Sequence, residues 1–192
     1  APDGKCGPMF APEMSKATAT FNVCVPGTVS PGPEVFEVLV VSVLRSLVQH
    51  GVKRISILNC HGANRAIPRA VAETHPQAIR IKSWWEFEPV QKLRTQFYGD
   101  WEGMHATPSE VAITQKTHRV LTSEHIGPPK KLSPEYIRAH AGDKHGPPDE
   151  HRAQFPDGRV GSHSGLAKAE HGQELLETAA RSVAKDYSRF LG

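Results

Sequence analysis

A histidine within the polar stretch 59–64 has the surroundings of a metal ligand. The stretch reads Asn-Cys-His-Gly-Ala-Asn, directly follows an apolar segment and directly precedes a predicted helix. The imidazole of His61 can bind a divalent metal there, and the amides of Asn59 and Asn64 can orient neighbouring groups. Asn59 and Asn64 can equally be a turn residue and an N-cap beside an ordinary loop histidine. The spacing leaves both interpretations open.

A second histidine opens the stretch His-Ala-Thr-Pro-Ser-Glu at positions 105–110. His105 and the carboxylate of Glu110 can form a general acid–base pair, or they can supply a metal ligand near a helix N-terminus. The same stretch is also a complete capping box, with Thr107 at the N-cap, Pro108 at the first helical position and Glu110 at N3. Function and capping therefore both stay open for His105, and capping is favoured for Glu110.

All three tryptophans of the chain lie close to these histidines in the predicted fold. Trp84 and Trp85 stand at a predicted strand end, and Trp101 stands in the loop before His105. Together they could wall a pocket for a small planar substrate. Because alternating strand residues face opposite sides of a sheet, we expect one of Trp84 and Trp85 to pack in the core.

Five further histidines lie in or beside a long segment, residues 123–163, that is rich in Pro, Gly and His. Such a segment in a compact domain is typical of an insertion, a lid or an interface, and we expect at most one short helix in it, over 133–140. The histidine spacing fits no standard metal signature, so we expect surface residues rather than ligands. The five are His125, His140, His145, His151 and His163.

The elements that must position these residues alternate between helix and strand. Strands are predicted over 19–25, 53–58 and 78–85, and helices over 34–50, 64–74, 89–97, 108–120 and 169–190. Apolar residues recur at helical spacing from Glu34 to His50, and Gly51 is placed to end that helix. This alternation predicts an α/β domain with a parallel sheet, whose ligands bind at the carboxyl edge of the strands, where His61 falls.

Length and composition fit one globular domain and exclude several classes of protein. The chain has 192 residues, 38% of them hydrophobic and 22% charged, with a formal net charge of +3. Basic and acidic residues are interspersed, so no nucleic-acid partner is expected. The longest apolar run is far below the ~20 residues that span a bilayer, so no membrane segment is expected. Three scattered cysteines and an opening without a secretory leader predict a reducing, cytoplasmic location.

The order of these stretches resembles the creatininase family of metal-dependent amidohydrolases. The stretch 59–64 is similar to that family's Asn-Gly-His-Gly-Gly-Asn signature, and 105–110 is similar to its His-Ala-Gly-x-x-Glu-Thr-Ser signature. Pro-Gly-Thr at 26–28 resembles the triplet that precedes the first of these. Residues 157–161 and 166–172 resemble the C-terminal pattern of the family. The resemblance runs from about Ala11 onward.

This resemblance implies a three-layer α/β sandwich with a mostly parallel sheet, usually assembled as a hexamer, and therefore a homo-oligomer. It also implies two divalent metals, zinc, manganese or iron, that polarise the carbonyl of a cyclic amide or formamide and activate water. His61 would be a metal ligand, His105 the acid–base that passes a proton to the leaving nitrogen, and Glu110 a carboxylate that ligates metal or orients water. The implied substrate-binding residues are Trp84, Trp85, Trp101 and Asn64.

The chain departs from the family pattern at several positions. Family members begin with a strand that bears Glu-x-His and, shortly after it, an Asp that bridges the metals, and nothing before Ala11 matches. The resemblance therefore implies one domain, 1–192, without the family's first strand and helix. Ala63 stands where creatinine-cleaving members carry Glu, and Met104 where they carry another acidic residue. With His61 as the one placeable ligand, a site that needs about three or four ligands is not expected to hold metal tightly.

Three functions remain open on the sequence. The leading prediction is a metal-dependent hydrolase that acts on a C–N bond of a cyclic amide or formamide. The alternative is a catalytically inactive relative that serves as a structural subunit of a larger assembly. The third is a small-molecule binding module that uses the tryptophan-walled pocket without chemistry.

Overall fold

Two parallel strands and six α-helices, with short 3-10 turns between them, are the regular elements in the described part of the chain. The computed structural model describes residues 10–11, 13–14, 17–64, 71–72, 75, 78–118 and 125–192. Strand β1 (Ile55–Asn59) pairs with β2 (Ile79–Ser83) in parallel, from Ile55 opposite Ile79 to Asn59 opposite Ser83. The helices are α1 (Pro33–Gln49), α2 (Glu88–Tyr98), α3 (Pro108–Thr117), α4 (Pro134–Ala139), α5 (Pro148–Gln154) and α6 (Ala169–Leu191).

The two faces of the sheet lie against different helices. Alternate strand residues, among them Ile57 and Ile79, pack with Phe36, Val40 and Leu44 of α1 in one apolar cluster. The intervening residue Arg80 points the other way and forms an ion pair of 2.5 Å with Asp186 of α6. This alternation puts a helix on each side of the strands, so the described core has the layered α/β organisation that the sequence predicts.

A second apolar cluster joins α2 to α6. Val90 and Leu175 are fully buried in it, beside Tyr98 and Ala179, and Trp84 packs against its margin. Helix α3 crosses α6 at Gly172. A Cβ atom at this position would overlap the carbonyl oxygen of Ala112. The absence of a side chain at Gly172 therefore lets the two backbones approach closely.

Most of the predicted elements are present with small shifts in their ends. The helix predicted over 34–50 begins at Pro33 and ends at Gln49, and Gly51 has the positive φ of 81° that a chain leaving a helix often needs. The strand predicted over 78–85 ends at Ser83, because Trp84–Glu86 form a 3-10 turn closed by a capping box between Ser83 and Glu86. Most of the helix predicted over 64–74 lies outside the described residues.

The strand predicted over residues 19–25 is wrong. Thr20–Asn22 form a 3-10 turn, and the hydrogen bonds from Asn22 N to Ala19 O (3.0 Å) and from Val25 N to Asn22 O (2.8 Å) continue the turns. Phe21 and Asn22 are adjacent and both buried within this turn. The prediction relied on the apolar residues of this stretch. It did not include the contacts of Phe21 with His105, His145 and His151, which bury the turn.

The segment 123–163 contains more structure than predicted. Its described part includes both α4 and α5, where at most one short helix was expected. Pro134 and Pro148 each stand at the first position of their helix, where the missing N–H costs nothing. The segment also contacts the stretch 105–110, because Val160 forms an antiparallel bridge with His105.

None of the described helices has the length and apolar character that crossing a membrane requires.

Candidate active site

His61 lies directly beyond the carboxyl end of β1 and is tied down on both sides. Its ring Nε2 lies 2.9 Å from the carbonyl oxygen of Thr18, which can only accept, so Nε2 is the donor of this hydrogen bond. The buried Asn59 donates from Nδ2 to the carbonyl oxygen of His61 (2.9 Å) and to the hydroxyl of Ser83 (3.1 Å). Asn59 therefore fixes the loop that carries His61 to the end of the neighbouring strand.

His105 is held by a strained backbone and a buried amide. Met104 donates its N–H to Val160 O (2.9 Å), and the next residue, Ala106, adopts φ 54° in the left-handed region. Ser164 donates its hydroxyl to the carbonyl oxygen of Ala106 at 2.6 Å. The Nε2 atom of His105 lies 3.0 Å from the amide of Asn22. A left-handed non-glycine residue costs free energy, and such residues concentrate at functional sites.

Glu110 performs the capping that the sequence favours and also faces the site. Its Oε2 accepts hydrogen bonds from Thr107 N (3.1 Å) and Thr107 Oγ1 (2.8 Å), and its own N–H donates to Thr107 Oγ1 (3.2 Å). Both hydrogen bonds that the carboxylate accepts within the described residues use Oε2, which leaves Oε1 for another partner.

His61, His105 and Glu110 share one cavity of about 220 Å³. Trp84 and Trp85 wall it, with their rings edge to face at 5.8 Å between centroids. Arg94, Thr107 and Asp143 also line it. The cavity is smaller than the roughly 300–1,000 Å³ usual for drug-sized ligands, so it suits a small ring, and its lining combines two aromatic side chains with charged and polar groups.

Two of the predicted substrate-binding residues lie outside the lining of this cavity. Asn64 accepts hydrogen bonds at Oδ1 from the backbone N–H (3.0 Å) and the hydroxyl (3.1 Å) of Thr18, so it fixes the segment that His61 also contacts. Trp101 packs edge to face on His163 at 5.8 Å and accepts the His163 N–H at its carbonyl oxygen. In this conformation both residues support the walls of the site.

Burial sets the protonation of the imidazole at the centre of the cavity. It lowers the pKa of His105, and the carboxylates of Glu110 and Asp143 oppose that shift in part. A lowered pKa keeps His105 neutral at physiological pH, the form that accepts a proton. Burial also raises the pKa of Glu102, against the effect of Arg94, whose Nε lies 2.9 Å from the Glu102 carboxylate.

The described residues do not fit a metal centre of the kind that the family resemblance implies. Among them, no three His, Cys, Asp or Glu side chains come together with the geometry of ligands. The Nε2 atoms of His61 and His105 are each engaged with a protein group. Stable zinc sites in proteins use about three or four ligands, so ligands beyond these residues would be required.

The prediction that the histidines of segment 123–163 lie at the surface is wrong for two of them. The side chain of His145 is fully buried, and His151 is 3% exposed. The ring of Phe21 lies against both, at 4.8 Å from His145 and 5.0 Å from His151. Because residues 19–25 were predicted to form a strand, the sequence analysis did not identify Phe21 as the residue against which these two histidines pack.

Asp143 and Arg94 are cavity residues that the sequence analysis did not single out. Asp143 follows Gly142, and both adopt positive φ, 55° and 82°. A Gly-Asp pair is a turn signal, and it carries no sign of chemistry. Arg94 lies in α2, at no recognisable spacing from any of the motifs.

The chain belongs to the creatininase family. The family model described as creatinine amidohydrolase matches residues 3–187. Comparison with curated protein sequences gives no significant match.

Solved structures of creatininases share the fold. A crystal structure of creatinine amidohydrolase (creatininase) is 20% identical, with a TM-score of 0.62 over 85% of this chain and 66% of that chain. A creatininase mutant complexed with creatine is 21% identical, with a TM-score of 0.60 over 86% and 68%. A mutant of the Zn-Zn type is 21% identical, with a TM-score of 0.58 over 84% and 65%. The chain thus spans about two thirds of the length of these structures.

Proposed function

We propose that the protein hydrolyses a C–N bond of a cyclic amide or formamide in the cavity between Trp84 and His105. The observation that carries the proposal is the meeting of His61 with His105 and Glu110, from two separate segments, in one cavity walled by two tryptophans. Family membership supports the same chemistry, since the family is described as creatinine amidohydrolase.

In the proposed reaction a water oxygen bonds to the amide carbonyl carbon and the C–N bond breaks. His105 takes a proton from the attacking water and passes it to the leaving nitrogen, which leaves as an amine or stays attached as one end of an opened ring. Glu110 orients the water through Oε1, while its Oε2 stays on Thr107. The faces of Trp84 and Trp85 hold a planar substrate. Positioned acid–base groups of this kind contribute about 10²–10⁴-fold to a rate.

A divalent metal is part of the proposal only at the level of the family. Related creatininase structures are described as Zn-Zn and Mn forms. Because the described residues lack a ligand set, no step above depends on a metal, and any metal requirement would place further ligands outside them.

The experiment is a hydrolysis screen of cyclic amides and N-formyl amines, read out by mass spectrometry of the products. Each substrate is tested with the protein as purified, with added zinc or manganese, and with a chelator. His105→Ala should abolish the turnover found, and His61→Ala should lower it because His61 lines the cavity. His118→Ala, at an exposed position outside the cavity, should keep it. Equal turnover in all variants would refute the site. No turnover under any condition would favour the inactive structural subunit.

The proposal extends to a homo-oligomer. Its support is the family resemblance together with three exposed apolar side chains on α1, Val35, Val38 and Leu39, at 63%, 67% and 41% exposure. Light scattering after size exclusion should give a mass that is a multiple of the 21.0 kDa chain. A mass of one chain at micromolar concentration would contradict it.

A further inference from the structure

The side chain of Asn22 bonds to the ring of His105, the candidate acid–base residue. Its amide lies 3.0 Å from Nε2 of His105, and Asn22 is only 9% exposed. Phe21 packs edge to face on the same ring, at 5.7 Å between centroids. Two consecutive residues of one turn therefore hold the imidazole, one through a hydrogen bond and the other through an aromatic contact.

The turn that carries Asn22 is anchored to helix α5. Cys24 donates its thiol hydrogen to the carbonyl oxygen of Pro148, at the start of α5, with a sulfur–oxygen distance of 3.1 Å. Arg152, also in α5, donates from Nη1 to the carbonyl oxygen of Cys24. Because the backbone of the turn is fixed on both sides of this contact, the amide of Asn22 has a defined position beside His105.

The contact at Nε2 decides which ring nitrogen of His105 can serve the proposed reaction. An imidazole has two nitrogens, and the one that is bonded to Asn22 cannot also receive a proton from water. The ring lines the cavity, and no hydrogen bond to its Nδ1 is present within the described residues. Nδ1 is therefore the nitrogen left for acid–base chemistry.

Acid–base chemistry at Nδ1 requires the proton of the neutral ring to stay on Nε2. In the structure Nδ2 of Asn22 faces Nε2, and Oδ1 of Asn22 is buried without a hydrogen bond from the described residues. A half-turn of the amide exchanges these two atoms in nearly the same space, so the hydrogen-bond partners decide the orientation. The half-turn gives Oδ1 the donor that it lacks and leaves a free lone pair on Nδ1.

We propose that Asn22 is the positioning residue of His105, whose neutral ring donates its Nε2–H to Oδ1 of Asn22 and so keeps Nδ1 free to take the proton of the attacking water and pass it to the leaving nitrogen. Asn22 itself gives up no proton, and it lies outside the cavity lining. The inference rests on the proposed function for the reaction that His105 performs. It adds the tautomer that performs this reaction and the residue that sets the tautomer.

The first measurement reads the tautomer of His105 from the NMR chemical shifts of its ring nitrogens at neutral pH. The signals of His105 are those that disappear in the spectrum of His105→Gln. We expect the proton on Nε2 in the unmodified protein, because Asn22 accepts it there. A proton on Nδ1 would overturn the inference. The measurement needs no substrate and no variant of Asn22.

The second measurement is the kinetics of Asn22→Leu on the best substrate of the screen. Leucine has nearly the size of asparagine but forms no hydrogen bond, so the two tautomers of His105 should mix. We expect kcat to fall at least about tenfold, since a wrong tautomer cannot act as the base, while KM stays within about twofold. Val23→Ala, at the next position of the chain and 51% exposed, is the matched control and should keep the tautomer and kcat.

Asn22→Asp is the rescue variant, because a carboxylate can also accept the Nε2–H. A carboxylate beside the ring raises the pKa of His105, so kcat should recover only on the alkaline side of the pH profile. Besides burial, the groups that act on this pKa are the same in both variants of Asn22: Glu110, Asp143, His61 and His145. Equal losses of kcat in Asn22→Leu and Asn22→Asp at every pH, with an unchanged tautomer and an unchanged circular dichroism spectrum, would overturn the inference.

The outcomes separate this inference from the proposed hydrolysis. A proton on Nε2 that depends on Asn22, without turnover of any amide, would keep the assignment of Asn22 and refute the hydrolase. Turnover that depends on His105 and is unchanged in Asn22→Leu would keep the hydrolase and overturn the inference.

Discussion

Ala106 stores backbone strain directly beside the catalytic candidate His105. Its φ of 54° lies where a non-glycine residue pays about 1–2 kcal/mol, whereas glycine adopts that region freely. We therefore expect Ala106→Gly to raise the free energy of unfolding by about 0.5–1 kcal/mol, after the entropy cost of glycine. Urea unfolding measures it. The same change at Ala184, exposed within α6, should instead cost about 1 kcal/mol. A loss at both positions would contradict the strained geometry.

His151 makes stability depend on pH. Burial lowers its pKa to about 4, and the nearby imidazoles of His145 and His105 add to that shift. The unfolded chain binds that proton from about pH 6.5, so between about pH 6.5 and 4 the unfolded state holds more protons and stability falls as pH falls. His151→Phe keeps the ring contacts with Phe21 and Phe155 and removes this contribution. Its unfolding midpoint should therefore fall less steeply with acid, and parallel curves would refute the buried, neutral imidazole.

Residue types and spacing were enough to predict five of the residues that line the cavity. His61, His105, Glu110, Trp84 and Trp85 all line it, because motif order encodes which loops meet at a sheet edge. Asp143 was not predicted, since its burial depends on contacts between the 140s and Phe21, more than a hundred residues away. Contacts between residues so far apart in the sequence produce no local residue pattern from which burial could be predicted.

Helices α3 and α6 depend on a glycine at their crossing. Gly172 lies inside α6, where alanine would normally favour the helix, but a Cβ there would overlap the Ala112 carbonyl. We expect Gly172→Ala to lower the free energy of unfolding by about 1–3 kcal/mol, because overpacking outweighs propensity. Ser188→Ala, at an exposed position of the same helix, should stay within about 0.5 kcal/mol. A stabilised Gly172→Ala protein would show that the helices can separate without cost.

Element types were predictable where one periodicity dominated. Helix α1 shows a regular apolar repeat and a terminating Gly51, and its observed ends fall within one residue of the prediction. Residues 19–25 have apolar side chains without strict alternation, and tertiary burial of Phe21 and Asn22 decides their conformation. The stretch shows why short apolar runs bounded by turns are ambiguous.

The described part of segment 123–163, residues 125–163, connects the site to the rest of the molecule. It supplies Asp143 to the cavity and Val160 to the bridge with His105, and it buries His145 and His151 against Phe21. We expect it to act as a lid, as its length and composition predict. Hydrogen exchange at residues 140–147 should slow when the best substrate of the screen binds, while exchange in α1 stays unchanged. Equal exchange rates with and without ligand would contradict the lid, because they would show that this segment does not close over the ligand.

The central claim is that His105 acts chemically on an amide, and its most direct test is the kcat/KM of His105→Gln on the best substrate of the screen. Glutamine can keep a hydrogen bond to Asn22 but cannot act as an acid–base group at neutral pH. With circular dichroism confirming an unchanged fold, we predict a fall of at least about 100-fold. A kcat/KM within about threefold of the unmodified protein would contradict the account, because acid–base groups contribute far more than that.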